Sequence, residues 1–283
     1  MTKVALLTVH GIGKTAANYA DPLIATLRSR LGAEASQVAF LPVYYQNILQ
    51  ANEDRVWQET QARNTVHYAT LREWLLFGFG DAAGIDGDRL STGAVYLEVQ
   101  WRIARALLAA HDALGGVGPV VALTQSLGGH VLSNYLWDAQ AAANGRDANT
   151  IWQNMATQAT ANLGRVPSPA ERATLRGGGL CRWVSTGCNI PLFVASHPII
   201  QAIAKPCDDF EWLNLYDPDD VLGWPLRPLS PSYKDLVVDR EINAGQGLAD
   251  LLFKSWNPLS HTAYWTDDDV LEPLLDRLRL YLN

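Results

Sequence analysis

Ser126 is the side chain around which chemistry is easiest to build. It stands in Val120-Val121-Ala122-Leu123-Thr124-Gln125-Ser126-Leu127-Gly128-Gly129-His130, where an apolar run meets a serine, then paired glycines, then an amphipathic stretch. A serine hydroxyl is a weak nucleophile until a turn presents it and a base takes its proton. A sharp strand-to-helix turn does the first, and small neighbours let strand and helix close around it. The same turn puts Ser126 at a helix N-terminus, where the dipole and unpaired N–H groups favour developing negative charge. The plainer reading is a serine capping an ordinary strand-to-helix turn.

A second loop of interest, His10-Gly11-Ile12-Gly13, follows the apolar run Val4-Ala5-Leu6-Leu7-Thr8-Val9. Its glycines let the backbone turn inward. Gly13-Lys14-Thr15 looks like the tail of a phosphate-binding loop, but that pattern needs a glycine where Thr8 stands, so the loop is too short to cradle phosphates.

With Ser126 in this setting, the chain resembles the α/β-hydrolase superfamily, whose pattern is G-x-S-x-G, and its lipase-like serine esterases in particular. Thr124 takes the place of the first glycine. The resemblance implies an oxyanion hole with the Leu127 amide as one donor. His10-Gly11-Ile12-Gly13 is similar to the HG-x-G loop of lipases and esterases, which makes the Ile12 amide the second donor and His10 a support of the loop. His10, Gly11 and Gln125 are the residues expected to border substrate. In this fold the triad runs in the order serine, acid, histidine. His261, in Pro258-Leu259-Ser260-His261-Thr262-Ala263-Tyr264-Trp265 just before the last helix, is then the base, with His197 as its rival. The acid falls in Asp217-Pro218-Asp219-Asp220-Val221; Asp220 is preferred because the family acid often precedes a valine near a proline, here Pro225, and Asp219 and Asp217 are the runners-up. Thr186-Gly187-Cys188-Asn189-Ile190-Pro191-Leu192 resembles the Gly-Ser-Pro-Leu turn of lipase-like members and is read as site-lining, not as a second nucleophile.

The activity so implied is cleavage of a carboxylic ester through an acyl-enzyme on Ser126, and the same machinery serves thioesters, lipid-like esters and amides. Neither cofactor nor metal is called for. The reading from another class is a non-catalytic protein of the same fold that binds or scaffolds.

The elements that must position these groups alternate. Strands are expected at Val4–Val9, Val38–Tyr45, Val120–Thr124, Arg182–Ser185 and Glu211–Tyr216, with a further one at Asp235–Ile242. Helices are expected over Asn18–Leu31, Gln46 to about Phe77, Val95–Leu114, Gly128–Ala143 and Thr266–Leu282. Phe77–Gly93, rich in glycine and aspartate, reads as a loop. His67 and His111 fall in expected helices, and His130 on the helix behind the serine. This alternation predicts an α/β fold: a mostly parallel sheet of about six strands with helices on both faces, in one domain over 1–283. Insertions at about 46–115, 144–179 and 224–256 are expected, with helical parts able to act as a lid. Trp74–Gly80 is the most apolar such stretch; core packing is favoured there over a lid or a membrane contact.

Composition narrows the classes further. The chain has 283 residues, 48% of them hydrophobic and 18% charged, which is globular rather than disordered. A formal charge of −7, without clustered Lys and Arg, argues against nucleic acid as a partner and leaves a small ester or acyl compound. Cys181, Cys188 and Cys207 lack metal or disulfide spacing, and no leader-like or membrane-length apolar segment is found, so a cytoplasmic protein is expected.

Overall fold

The computed structural model describes residues 1–89, 94–146, 150–244 and 264–282. Its strands are β1 (Val4–Val9), β2 (Val38–Val43), β3 (Val120–Gln125), β4 (Leu180–Thr186), β5 (Glu211–Tyr216) and β6 (Val237–Glu241). They form a single six-stranded sheet in the order β2-β1-β3-β4-β5-β6, and each pairing is parallel. The expected α/β class, with a parallel sheet of six strands, is the observed one.

A parallel sheet needs cover on both faces, and the strand residues divide accordingly. Val4, Leu6, Val121, Leu123 and Val184 join Leu23, Leu27 and Leu31 of α1 (Asp21–Leu31) and the leucines of the C-terminal helix Asp268–Arg279 in one core. Ala5, Leu7, Val9, Ala122, Trp183 and Trp212 point the other way, into a core shared with α4 (Ala94–Leu114) and α5 (Leu127–Ala143). β2 is an edge strand, which accommodates Pro42, a residue without an N–H to donate.

The strand order reverses direction between β1 and β3. Ligands of open parallel sheets bind outside the carboxyl ends of the strands at such a switch point. Val9 pairs with Thr124, so the loops that leave β1 and β3 start side by side there.

Two local expectations are corrected. Phe77–Gly93 is not a loop through its described part: α3 runs Ala69–Arg89, antiparallel company for α2 (Gln46–Arg63). Its glycines are contact points rather than breakers. A Cβ on Gly80 would stand 2.7 Å from Glu53 Oε1, one on Gly84 3.1 Å from Leu49, and one on Gly78 3.0 Å from Ile12. His67 lies in the turn between α2 and α3, not within a helix. The stretch 144–179 holds two helices, α6 (Met155–Leu163) and α7 (Pro169–Leu175); α7 opens on a capping box between Ser168 and Glu171. In α3 itself Phe77 is buried while Leu75 and Phe79 are exposed, so Trp74–Gly80 has one packed face and one open face. Among the described residues, no helix is long and apolar enough to cross a membrane.

Candidate active site

β3 ends in a turn that only a few residue types tolerate. Ser126 has φ 51° and ψ −123°, immediately before α5 begins at Leu127. It is a non-glycine residue at positive φ, held by its own N–H on the Thr186 carbonyl and by the Gly129 N–H on its carbonyl, at 2.9 and 3.0 Å. Close approach makes the turn possible. A Cβ on Gly128 would sit 2.4 Å from the Val9 carbonyl oxygen and 2.5 Å from that of His10, so the start of α5 presses on the end of β1. Thr124, where the superfamily pattern has glycine, is buried and accepts the Trp183 indole N–H on its hydroxyl at 2.9 Å.

The loop after β1 lies against this turn. A Cβ on Gly11 would be 2.9 Å from Ser126 Cβ and 3.2 Å from the Gln125 carbonyl. The ring of His10 faces inward. It stacks on Tyr45 at 4.0 Å, accepts the Tyr45 backbone N–H on Nε2, and therefore carries its proton on Nδ1, which donates to the Gly11 carbonyl at 2.9 Å. Burial lowers its pKa to about 4, against the opposing effect of the Gly11 bond, so the ring is neutral. With both nitrogens engaged, His10 shapes the loop; it is the glycine backbone that meets Ser126. The amides of Ile12 and Leu127 have no acceptor among the described residues.

Asn189, which the sequence only marked as part of a site-lining turn, is the side chain found on the serine. Its Nδ2 donates to Ser126 Oγ at 3.3 Å, while its buried Oδ1 has no partner among the described residues. The neighbouring Cys188 is fully buried against Gly129, and desolvation pushes its thiol up to about 12, which keeps it protonated and unreactive.

The three aspartates after β5 have different surroundings. Asp219 is exposed. Asp217 is buried and structural in its bonding: Oδ1 accepts the Asp219 N–H and Oδ2 the Ala244 N–H, each at 2.8 Å. Asp220 is buried too, with Oδ1 on the Leu222 N–H at 3.0 Å and Oδ2 on the Tyr264 hydroxyl at 2.9 Å. Tyr264 in turn accepts the Asp217 N–H at 3.1 Å, which ties the far end of the chain to this loop. His261 lies outside the described residues, as does the part of the 224–256 insertion beyond 244.

The other histidines are engaged elsewhere. His130 pairs with Asp86 of α3 at 2.9 Å and stacks on Phe193, and His111 bonds the Thr174 hydroxyl at 2.8 Å. His197 is exposed at the rim of a cavity of about 140 Å³ that His130, Ile190 and Tyr233 also line. Lys14 is paired with Glu73 at 2.7 Å and lies over the Phe77 ring.

The parallel sheet, its switch point and the positive-φ serine turn meet at one edge of this α/β fold. No family model matches the chain, and no curated protein does. Among solved structures, an acetyl xylan esterase is similar at 10% identity, covering 100% of both chains with a TM-score of 0.40. The NocB thioesterase domain in covalent complex with a fluorophosphonate nocardicin G analogue is similar at 13% identity over 100% of this chain and 95% of that one, with a TM-score of 0.35.

Proposed function

We propose that this chain is a serine hydrolase that cleaves a carboxylic ester through an acyl-enzyme on Ser126. The observation that carries the reading is the backbone of that serine. A non-glycine residue at φ 51° and ψ −123° costs roughly 1–3 kcal/mol and persists where the surroundings over-determine it. An N-cap needs no such conformation, since caps sit in the extended region, and Ser126 makes no capping bond with its side chain. Strain that serves no cap is accounted for by presenting a nucleophile.

In this mechanism His261 removes the proton from Ser126 Oγ as that oxygen attacks the ester carbonyl, and Asp220 orients the imidazole and stabilises its charged form. The amides of Ile12 and Leu127 receive the oxyanion. Collapse of the intermediate breaks the bond to the leaving oxygen, which takes the proton from His261; a water then repeats the sequence on the acyl-enzyme and frees the acid. Asp220 is preferred over Asp217 because its Oδ2 is bonded by a side chain, Tyr264, rather than by two backbone amides. Tyr264 is also three residues on from His261, a length of chain that spans at most about 11 Å. Asn189 would hold Oγ by its lone pair, leaving the hydroxyl hydrogen for the base. Three free thiols suit a cytoplasmic location.

A panel of p-nitrophenyl esters of increasing acyl length, with one acyl thioester, tests the activity and its substrate class. Turnover by wild-type protein and its loss by several orders of magnitude in Ser126→Ala are expected. Equal turnover by the variant would remove Ser126 from the reaction, and an inert, folded wild type would favour a binding or scaffold role.

A further inference from the structure

The loop that carries the Ile12 amide is gripped from two sides, and only one grip comes from the sheet. Because a trans peptide holds its C=O and N–H antiparallel, the direction of the Ile12 N–H is set by where the Gly11 carbonyl points. That carbonyl accepts His10 Nδ1–H at 2.9 Å and lies 3.4 Å from the Tyr45 hydroxyl, which pins the plane before Ile12. The plane after Ile12 ends in the Gly13 N–H. This donates to Asp81 Oδ2 at 2.9 Å, a carboxylate on α3, 68 residues away in sequence and outside the sheet. Gly13 has φ +90°, a conformation open to glycine that turns its N–H toward α3.

Asp81 is built to be an acceptor there. It is fully buried, and its second oxygen takes the Gln46 side-chain N–H at 2.9 Å at the start of α2. Glu53, also buried, lies near it on α2 and raises the cost of a second charge there. Burial raises the pKa of both carboxyls, while the bonds from Gly13 and Gln46 draw Asp81 back toward its ionised form. A buried carboxylate with its lone pairs so occupied is an uncommon expense for a helix hairpin that could be packed with apolar groups.

We propose that Asp81 is a positioning residue for the oxyanion hole: through the Gly13 N–H it anchors the peptide plane after Ile12 and so holds in place the residue whose N–H the Gly11 plane aims. The proposal rests on the ester-hydrolase reading above. It makes the seating of the α2–α3 hairpin a condition for catalysis, since the hole is complete only when α3 delivers its carboxylate to the loop.

The test compares Asp81→Asn, Asp81→Ala and Asp81→Leu with wild type on p-nitrophenyl acetate, with rates expressed per Ser126 titrated by a fluorophosphonate. Inhibition by phenylboronic acid, whose tetrahedral adduct places an oxygen in the hole, is measured alongside inhibition by acetate. Asp81→Asn retains an oxygen for Gly13 and is expected to lose about fivefold in kcat at most. Asp81→Ala and Asp81→Leu are expected to lose about 30- to 300-fold, as when one donor of such a hole fails. KM and the acetate inhibition constant stay within about threefold, while the boronate constant rises in step with the loss of kcat. Should the Ala and Leu chains fail to fold, replacing Gly13 by glycolic acid removes the donor alone and is expected to reproduce their profile. Wild-type kcat and boronate affinity without that donor would overturn the proposal while leaving the hydrolase reading intact. A wild-type protein that neither turns over ester nor takes the label would overturn both.

Discussion

Ser126 and Asn189 show how much of the chemistry depends on single atoms. A donor on Oγ orients its lone pairs without consuming its proton, which is the arrangement a base needs. The aspartates behave likewise. Asp220→Asn is expected to lower kcat about 10³- to 10⁴-fold by favouring the wrong imidazole tautomer, with little change in KM. Asp217→Asn is expected to act on stability instead, by about 1–3 kcal/mol, since both of its oxygens accept buried backbone N–H groups. Steady-state kinetics and urea unfolding of the two variants separate the roles, and a reversed pattern would move the acid to Asp217.

His10 gives a pH dependence with a definite sign. Its folded pKa is depressed to about 4 by burial, below the 6.5 of an exposed imidazole. The unfolded chain therefore binds the proton first, and stability is lost as pH falls from about 6.5 through 4, by on the order of 3 kcal/mol in all. His10→Asn is expected to flatten that part of the curve in urea unfolding measured at pH 7 and pH 4.5. An unchanged slope would mean the ring is not buried neutral.

At the scale of elements, what was legible in the sequence follows what is local. β1 and β3 are short apolar runs with β-branched residues and β5 a short run of large apolar ones, and their bounds could be read to within a residue. The serine turn was legible because strand, serine, glycines and helix lie consecutively. α3 was not. Gly78, Gly80, Gly84 and Gly87 signal a loop by propensity, yet three of them are the places where α2 or the loop after β1 comes closest, so tertiary packing overrides the local signal. Asp81 and Asn189 were missed as site residues for the same reason, because their partners are 68 and 63 residues away. Gly128→Ala tests the packing directly. Its methyl would meet two backbone carbonyls, which cannot swing aside as a side chain can. A loss of about 1–3 kcal/mol or more is expected in thermal or urea unfolding, with loss of turnover in what remains folded. A fully stable Gly128→Ala would mean that α5 and β1 are less closely apposed than described.

For the molecule as a whole, the switch point between β1 and β3 explains why residues from remote segments meet. Both loops leave the same edge of the sheet, and the strands on their far side bring Asn189 and Asp220 to that edge. Across the sheet, buried polar groups are linked from Thr124 through Trp183, stacked on Trp212, to Ser185, Asn214 and Asp239. Such a satisfied chain holds β3 to β6 in one register and keeps the turn at Ser126 in its strained form. The net charge of −7 disfavours anionic polymers as substrates and leaves a neutral ester unaffected. The most direct measurement is the reaction of folded protein with a fluorophosphonate, followed by peptide mass spectrometry. The account predicts one phosphonyl adduct per chain, on Ser126, abolished by prior denaturation. No adduct, or one equally abundant on other serines, would contradict it.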